Sequence, residues 1–321
     1  MKGMLLLMPA AVALLGCPDA WAQVYPSRPL RLIVASAPGG SPDINAREMA
    51  QELTKQMGQQ IVVENRPGAS GILGLETLAR ATPDGYTFGM TSNFVSTNPS
   101  LYSKLPYDFF RDFAPLIFYF RGVNVLTVPP SSPFRSVKEL IEHARANPGK
   151  LTFGSSGIGA TPHLTMELFK SMTGTSMVHV PYKGTQQAVV DVIAGQIDIL
   201  CDNLASLIPL VKSGRLRALA VTSAKRSAVV PELPTLDESG LPGYELTGWL
   251  GVAAPIGVPK EIRLRLNAEI NKALKSPAVS KGIASRGGTP VGGTPEEFSD
   301  HVRRETDKMS KLLKNLGVKP Q

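Results

Sequence analysis

The sequence predicts an α/β protein of two lobes, and three observations indicate this fold class. Short β-rich segments alternate with amphipathic helical segments, which is typical of βαβ units on a parallel sheet. The alternation occurs in two successive blocks, each with a strand, a glycine-rich loop and a helix in that order. Two apolar extended segments, 116–128 and 246–254, are candidates for strands that cross between the blocks. We therefore expect the chain to leave the first lobe, build the second and return.

The composition is that of a packed globular protein. Hydrophobic residues make up 43% of the 321 residues and charged residues 19%, which excludes an intrinsically disordered chain. The net charge is +8, but the basic residues are scattered and are not interleaved with aromatic residues, so we predict no binding of nucleic acid. A diffuse positive field instead attracts small anions toward a cleft.

The first 22 residues have the features of a secretory signal peptide. Lys2 precedes an apolar segment at 4–15, and residues 20–22 (AWA) match the A-x-A pattern of a cleavage site. The apolar segment is shorter than the roughly 20 residues that span a bilayer. We expect cleavage after Ala22 and free secretion. The alternative is a lipoprotein tethered through Cys17, because the residues before this cysteine (LLG) resemble a lipobox.

In the first block, a strand at 30–36 precedes residues 38–40 (PGG) and a helix. Ser41 has a side chain suited to the N-cap position, and Pro42 is favoured as the first helical residue. Two further strands are predicted at 60–64 and 86–91, the second after a turn signal.

The second block begins with a capping-box pattern, in which Ser136 and Glu139 precede a helix. A strand at 151–155 leads to residues 157–160 (GIGA), and Thr161 with Pro162 repeats the expected N-cap pair. Further elements follow in alternation: strands at 177–180, 197–201 and 216–221, with helices at 185–194 and 205–213.

Two helices are expected to close the chain after the second crossing strand. The last begins at a capping box, 294–297 (TPEE), and its apolar stripe consists of Phe298, Val302, Met309 and Leu313. The resulting domain prediction is a discontinuous first lobe (23–124 with 246–321) and a second lobe (125–245).

Motifs for several kinds of catalysis are absent from the sequence. There is no P-loop, dinucleotide fingerprint, H-E-x-x-H or C-x-x-C, and no histidine pair has metal-ligand spacing, so no cofactor or metal is predicted. His143 and His301 fall on predicted helix surfaces, and His179 falls in a strand. Ser156 with His163 is the one pattern compatible with a serine hydrolase, although no acid partner is evident by spacing.

The positive signal is a pair of glycine loops, each of which joins a strand to a helix. We call residues 39–42 (GGSP) the first glycine loop and residues 157–162 (GIGATP) the second. Glycines let a ligand approach the backbone, and the free amides and dipole of a helix N-terminus favour an anion. Because ligands bind outside the carboxyl ends of strands in open α/β sheets, both loops are expected to face one cleft. Two such loops suit a small anion with two acidic ends.

Other polar residues follow predicted strands and are candidates for the remaining wall of the cleft. Ser92 lies in the first block, and Tyr182, Lys183 and Asp202 lie in the second. Lys183 is either a ligand contact or an ordinary surface lysine. Asp202 ends an apolar strand and therefore needs a partner, which is a ligand hydroxyl, an ammonium group or water.

Several segments together resemble the tripartite tricarboxylate transporter receptors, also called Bug or TctC-type receptors. They cover nearly the whole chain after residue 24 in order and include 25–47 (YPSRPLRLIVASAPGGSPDINAR), 62–74 (VVENRPGASGILG), 147–163 (NPGKLTFGSSGIGATPH), 179–198 (HVPYKGTQQAVVDVIAGQID) and 249–262 (WLGVAAPIGVPKEI). The resemblance implies a Venus-flytrap fold, type II-like, of two α/β lobes with two crossover strands. It also implies a monomeric periplasmic receptor that delivers a carboxylate to a membrane permease and is not an enzyme.

The resemblance further implies that backbone amides and hydroxyls of the two glycine loops hold the ligand. Carried onto this chain, the expected ligand-binding residues are Gly39, Gly40, Ser41, Asp43, Ser92, Ser155, Ser156, Ala160, Thr161, Tyr182, Lys183, Gly184 and Asp202. Residues 160–162 (ATP) stand where many members have a serine, so the identity of the carboxylate does not transfer. The alternatives are a secreted hydrolase that uses Ser156 and a lipid-tethered sensor with the same cleft.

Overall fold

The computed structural model describes residues 25–315, 317, 318 and 320. The signal peptide at 1–22, cleavage after Ala22 and lipidation of Cys17 lie outside the described residues. The described residues form eleven strands. In chain order these are β1 (Leu30–Val34), β2 (Ile61–Asn65), β3 (Thr87–Ser92), β4 (Phe113–Gly122), β5 (Asn124–Val128), β6 (Thr152–Ser155), β7 (Val178–Pro181), β8 (Ile199–Asn203), β9 (Arg217–Val221), β10 (Gly248–Pro255) and β11 (Thr289–Gly292).

Eleven α-helices and one short 3₁₀ helix (Ala69–Gly71) accompany the strands in the described residues. The α-helices are α1 (Ser41–Met57), α2 (Ile72–Ala79), α3 (Phe94–Leu101), α4 (Phe109–Asp112), α5 (Val137–Ala146), α6 (Thr161–Thr173), α7 (Thr185–Ile193), α8 (Leu204–Lys212), α9 (Lys260–Lys275), α10 (Pro277–Ser285) and α11 (Pro295–Asn315).

The strands form two separate sheets, which confirms the two-lobed α/β fold. The first sheet has the order β11-β4-β10-β3-β1-β2, and the second has the order β7-β6-β8-β5-β9. The chain passes from the first sheet to the second between β4 and β5 and returns at β10. The two predicted crossing segments therefore lie where the sequence placed them.

Neither sheet is wholly parallel, in contrast to the βαβ expectation. β1 is parallel to β2 and β3, and β6 is parallel to β7 and β8. The crossing strands run the other way, since β10 is antiparallel to β3 and β4, and β5 is antiparallel to β8 and β9. Parallel neighbours in a sheet need a crossover connection, usually a helix, between them. β5 and β10 enter their sheets directly from the other lobe, without such a helix.

Apolar clusters cover the two sheets, and the last helix, which contacts α3 and β4 most, packs in two of these clusters. On α11, Phe298 and Val302 pack in an aromatic cluster with Phe118 of β4. Further along the helix, Met309 and Leu313 pack in the cluster that contains Phe153 of β6. The predicted apolar stripe on this helix is buried along its length, but its side chains lie in two hydrophobic clusters rather than one.

Local capping signals were reliable outside the glycine loops. The Ser136 Oγ accepts a hydrogen bond from the Glu139 amide at 3.2 Å. The box at the start of α11 is reciprocal, because Thr294 Oγ1 accepts from the Glu297 amide and the Glu297 carboxylate accepts from the Thr294 amide. In the glycine loops, however, Gly40 and Ala160 occupy the N-cap position, and Ser41 and Thr161 are the first helical residues.

Two other expectations were wrong. Three helices rather than two follow β10, since α9, α10 and α11 all lie after it. His301 is buried rather than on the surface, because its ring stacks on Phe118 with centroids 4.1 Å apart. Burial lowers the pKa of His301 to about 4. Nearby positive charges, of which Arg121 has the largest effect, lower this pKa further.

Candidate functional site

A cavity of about 320 Å³ lies between the two lobes. Its wall combines strand ends and loops of both sheets, so both glycine loops border the same space. Ten of the expected ligand-binding residues line it: Gly40, Ser41, Ser92, Ser156, Ala160, Thr161, Tyr182, Lys183, Gly184 and Asp202. The other three, Gly39, Asp43 and Ser155, are not among the lining residues.

Asp43 holds the first glycine loop in shape. Its Oδ2 accepts a hydrogen bond from the Gly39 amide at 2.9 Å, and its carboxylate also pairs with Arg47 and with Asn65. Burial acts to raise the pKa of Asp43, but these hydrogen-bond donors outweigh it and hold the pKa below its usual value. Gly39 adopts a φ of 79°, which favours glycine. The side chain of Asp43 is thus engaged by the protein itself.

Ser155 has a similar supporting role in the second glycine loop. It is fully buried, and its Oγ accepts from the Gly157 amide at 3.2 Å. The same oxygen lies 2.7 Å from His179 Nε2. The serine therefore ties the loop to the neighbouring strand β7.

Two stacked histidines lie beneath this loop. The rings of His163 and His179 have centroids 4.1 Å apart, and His163 Nδ1 accepts from the Gly159 amide at 3.1 Å. Because Nδ1 is an acceptor, His163 is neutral in this arrangement. Burial lowers the pKa of His163 to about 4 and that of His179 to about 3.

This geometry does not form the catalytic pair considered from the sequence. The histidine hydrogen-bonded to a serine is His179, and its partner is Ser155 rather than Ser156. Within the described residues no carboxylate is hydrogen-bonded to His179, although a catalytic base needs an orienting group. The buried Ser155 also lacks access to a substrate.

Asp202 is a buried carboxyl group in the cavity wall. Its Oδ2 accepts from Thr185 Oγ1 at 2.7 Å, and its Oδ1 accepts from the Asn203 amide at 2.6 Å. Burial raises the pKa of Asp202 to about 6, although both hydrogen bonds act in the opposite direction. Nearby, the Tyr182 hydroxyl donates to Asp191 at 2.6 Å, and burial together with this acceptor raises the pKa of Tyr182 to about 12.

A third loop of the cavity wall, Gly68–Gly71, precedes α2 and is not predicted from the sequence. Ala69 and Ser70 adopt positive φ values of 47° and 50°, which are uncommon for residues other than glycine. Contacts from α3 and the residue after it hold this loop, because Asn98 Nδ2 donates to Ser70 O and the Tyr102 hydroxyl donates to Ser70 Oγ. Its sequence (GASG) lies inside one of the family-like segments, and that was the available signal.

Helix N-termini converge on the cavity. Six helices begin at it, and five of them, α1, α2, α3, α6 and α7, have no side-chain cap; their N-cap residues are Gly40, Gly71, Asn93, Ala160 and Gly184. The sixth, α8, is capped by Asn203, whose Oδ1 accepts from the Ala205 amide. Away from the cavity, side chains do cap α4, α5 and α10, with Pro259 of α9 as an exception. An uncapped N-terminus presents free amides and about half a positive charge. The arrangement suits an anionic ligand.

Hydrogen bonds also join the lobes across the cavity. Asn93 Nδ2 and Thr97 Oγ1 of the first lobe donate to Gly159 O at 3.0 and 3.1 Å. On the other side, Gln186 Nε2 of α7 donates to Gly39 O at 2.9 Å. The structure is therefore a closed form, in which both glycine loops bond to the opposite lobe.

A comparison with protein families assigns the chain. Residues 45–318 match the family described as "Tripartite tricarboxylate transporter family receptor", TctC. The chain belongs to this family. It is therefore a TctC-type receptor, as its sequence segments predicted, and the family is one of solute-binding receptors rather than an enzyme class.

Solved structures agree with this assignment. Rpa4515 of R. palustris with adipate is 38% identical to this receptor, with a TM-score of 0.90, over 92% of this chain and 100% of Rpa4515. The periplasmic binding protein BugD is 33% identical, with a TM-score of 0.88, over 92% of this chain and all of BugD. MatC of Rhodopseudomonas palustris with bound malate is 28% identical, with a TM-score of 0.85, over 90% of this chain and 100% of MatC. Members of the family are thus periplasmic binding proteins.

Two further observations concern the described residues of this receptor. None of their helices combines the length and apolar character needed to cross a bilayer. Histidine, cysteine and acidic side chains in the same residues form no group of three or more suited to a metal ion.

Proposed function

We propose that this receptor binds a small carboxylate in the interlobe cavity and delivers it, in the periplasm, to membrane permease subunits of a tripartite tricarboxylate transporter. The observation that carries the proposal is the convergence of five uncapped helix N-termini on one cavity. Such N-termini hold carboxylates through backbone amides without a cluster of arginines or lysines. Of the basic side chains in the described part of the chain, only Lys183 is among the lining residues.

The size of the cavity supports a small ligand. Its volume of about 320 Å³ lies at the lower end of the roughly 300–1,000 Å³ that is usual for ligand pockets. Similar receptors of this family hold adipate and malate, and both are dicarboxylates. We infer that the ligand is a di- or tricarboxylate, an acidic amino acid or an aromatic acid.

Ligand contacts are proposed for the ten expected residues that line the cavity. The remaining three act behind the wall: Asp43 fixes the first glycine loop through the Gly39 amide, and Ser155 fixes the second. The two proposed lobes, 23–124 with 246–321 and 125–245, close on the ligand. Closure completes a site whose parts come from both lobes, and the receptor acts as a monomer without catalysis.

A thermal-shift screen tests the proposed function. The mature chain, starting at Gln23, is melted with adipate, malate, citrate, glutamate, benzoate and, as a control without a carboxylate, hexane-1,6-diol. A ligand of the folded state raises the melting temperature by mass action. We expect at least one acid to do so and the diol to have no effect. If no acid shifts the melting temperature, carboxylate binding is wrong.

The hydrolase alternative makes a different prediction. It requires turnover of a carboxylic ester by the purified protein and loss of that turnover in Ser156→Ala. We expect neither, because Ser156 has no histidine partner among the described residues.

A further inference from the structure

We propose that the cavity takes up its carboxylate together with one proton, and that this proton resides on Asp202 in the complex. The inference rests on the proposed function, since it concerns the same cavity and the same class of ligand. It adds a property that the uncapped helices alone do not give, namely a dependence of affinity on pH.

Within the part of the chain that the structure describes, Asp202 is a buried carboxyl group without a cationic partner. The residue is 4% exposed and lines the cavity at the end of β8. Its two oxygens each accept one hydrogen bond from the protein, from Thr185 and from the Asn203 amide. Among the described residues Asp202 takes part in no ion pair within 4.0 Å. A negatively charged carboxylate in this position is therefore stabilised by two donors, which lie at the N-termini of α7 and α8, and by no cationic side chain.

The elements packed against β8 are β5, β6, α6, α7 and α8, and their charged side chains do not pair with Asp202. Neither strand contains an ionisable side chain. Those of the helices are His163, whose Nδ1 accepts from Gly159, the Glu167–Lys170 ion pair, Asp191, which accepts from Tyr182, and Lys212 at the far end of α8.

The groups nearest Asp202 in sequence and in the cavity complete this inventory. Cys201 precedes it in β8, is buried in the core, and has a pKa that burial raises. Lys183, Tyr102 and Tyr182 are the other titratable side chains that line the cavity. Lys183 is exposed to solvent and is not within ion-pair distance of Asp202. No positive charge in this inventory neutralises Asp202.

A bound ligand changes the surroundings of Asp202. A bound carboxylate places a second negative charge in the cavity and displaces water from the wall. Both changes favour the neutral form of a neighbouring carboxyl group. In the free protein, burial already raises the pKa of Asp202 to about 6, so that most molecules are ionised at pH 7.5. Binding raises this pKa further, and a proton is taken up. A neutral Asp202 also gains a hydroxyl that donates to a ligand oxygen.

Isothermal titration calorimetry with adipate and with malate measures this proton directly. The enthalpy of binding at pH 7.5 is determined in buffers of different ionisation enthalpy, and its slope against that enthalpy gives the number of protons taken up. We expect close to one proton. The dissociation constant is expected to rise by up to about tenfold for each pH unit above the pKa of the free protein.

Asp202→Asn tests the assignment to this residue. Asparagine keeps an acceptor and the shape of the side chain, but it carries no charge. We expect the slope to fall to zero and the variant to bind more tightly than the wild type at pH 8. Asp198→Asn is the matched control, because Asp198 immediately precedes the same strand at its opposite end and bonds to Thr152; its slope is expected to equal that of the wild type.

The outcomes separate the two proposals. Binding without proton uptake by the wild type, or an unchanged slope in Asp202→Asn, overturns the inference and leaves the proposed function intact. Loss of binding by a folded Asp202→Asn at every pH also overturns it, because Asp202 then acts as an anion that accepts from the ligand. If neither acid nor any other acid of the screen binds at any pH, the proposed function fails and the inference fails with it.

Discussion

Closure of the lobes depends on a glycine at the edge of the cavity. A Cβ added at Gly184, in the second lobe, would lie 2.8 Å from the Cβ of Ala37 in the first lobe. Carbon atoms in favourable contact are about 3.5–4.0 Å apart. Gly184→Ala therefore forces the lobes about 1 Å apart at this point, although it changes no polar group of the cavity.

The expected loss of affinity follows from the hydrogen bonds that need the closed form. The bond from Gln186 to Gly39 is 2.9 Å long, and an added 1 Å breaks it. With one hydrogen bond to the ligand lost as well, at about 1 kcal/mol each, the affinity falls by about 2 kcal/mol. This corresponds to an increase of roughly 30-fold in the dissociation constant.

The assay is calorimetric titration with adipate of Gly184→Ala, Ala37→Gly and the double variant. Ala37→Gly removes the atom that meets the new Cβ, since the next atoms of Ala37 lie 3.9 Å away. The backbone strain of an alanine at position 184, where φ is 159°, is the same in the single and double variants. We expect the double variant to recover most of the affinity. Wild-type affinity in Gly184→Ala, or no recovery in the double variant, refutes the steric explanation.

Three further perturbations test the site and its support. Gln186→Ala should accelerate ligand dissociation about fivefold in stopped-flow measurements, because one cross-lobe hydrogen bond is lost; Gln187→Ala, the exposed neighbour, should not. Ala160→Asp should abolish binding in calorimetry without lowering the melting temperature, since the new carboxylate caps α6 and repels the ligand; unchanged affinity contradicts the site. Burial lowers the pKa values of His163, His179 and His301 to about 4, about 3 and about 4. The pKa of Asp202, which burial raises to about 6, offsets one of these three groups, so the unfolded state binds more protons than the folded state below about pH 6.5. Urea unfolding should therefore show the free energy of unfolding falling, by up to about 1.4 kcal/mol per pH unit for each histidine that is not offset, as the pH drops from 6.5 toward 4, whereas a flat profile argues against buried neutral rings.

Local signals predicted much of the fold. The boxes at Ser136 and at Thr294 each place a side-chain oxygen against an amide three residues later, and that interaction needs no partner from elsewhere in the chain. Strand positions were also close, with the predicted 30–36 observed as Leu30–Val34. The antiparallel direction of β5 and β10 was not predictable from local signals, because it depends on the lobe from which the chain enters each sheet.

The site was predictable where the backbone itself supplies the chemistry. Glycines before a Ser-Pro or Thr-Pro pair marked both glycine loops, and both border the cavity. The loop at Ala69 and Ser70 has positive φ values that no local sequence pattern indicates, and the hydrogen bond that holds it comes from Asn98 of α3, 28 residues further along the chain. The N-cap residues are Gly40 and Ala160 rather than Ser41 and Thr161, so general capping preferences place both helix starts one residue too late.

The packing of α11 fixes the end of the chain to the first lobe. The elements that this helix contacts most are α3 and β4, both of the first lobe. Its Met309 and Leu313 lie in a cluster that contains Leu101 of α3 as well as Phe153 of β6. An opening of the lobes that withdrew a second-lobe side chain from this cluster would cost about 1.5–3 kcal/mol for each side chain that became fully exposed. The cluster beside the C-terminal half of α11 therefore opposes any separation of the lobes at this point.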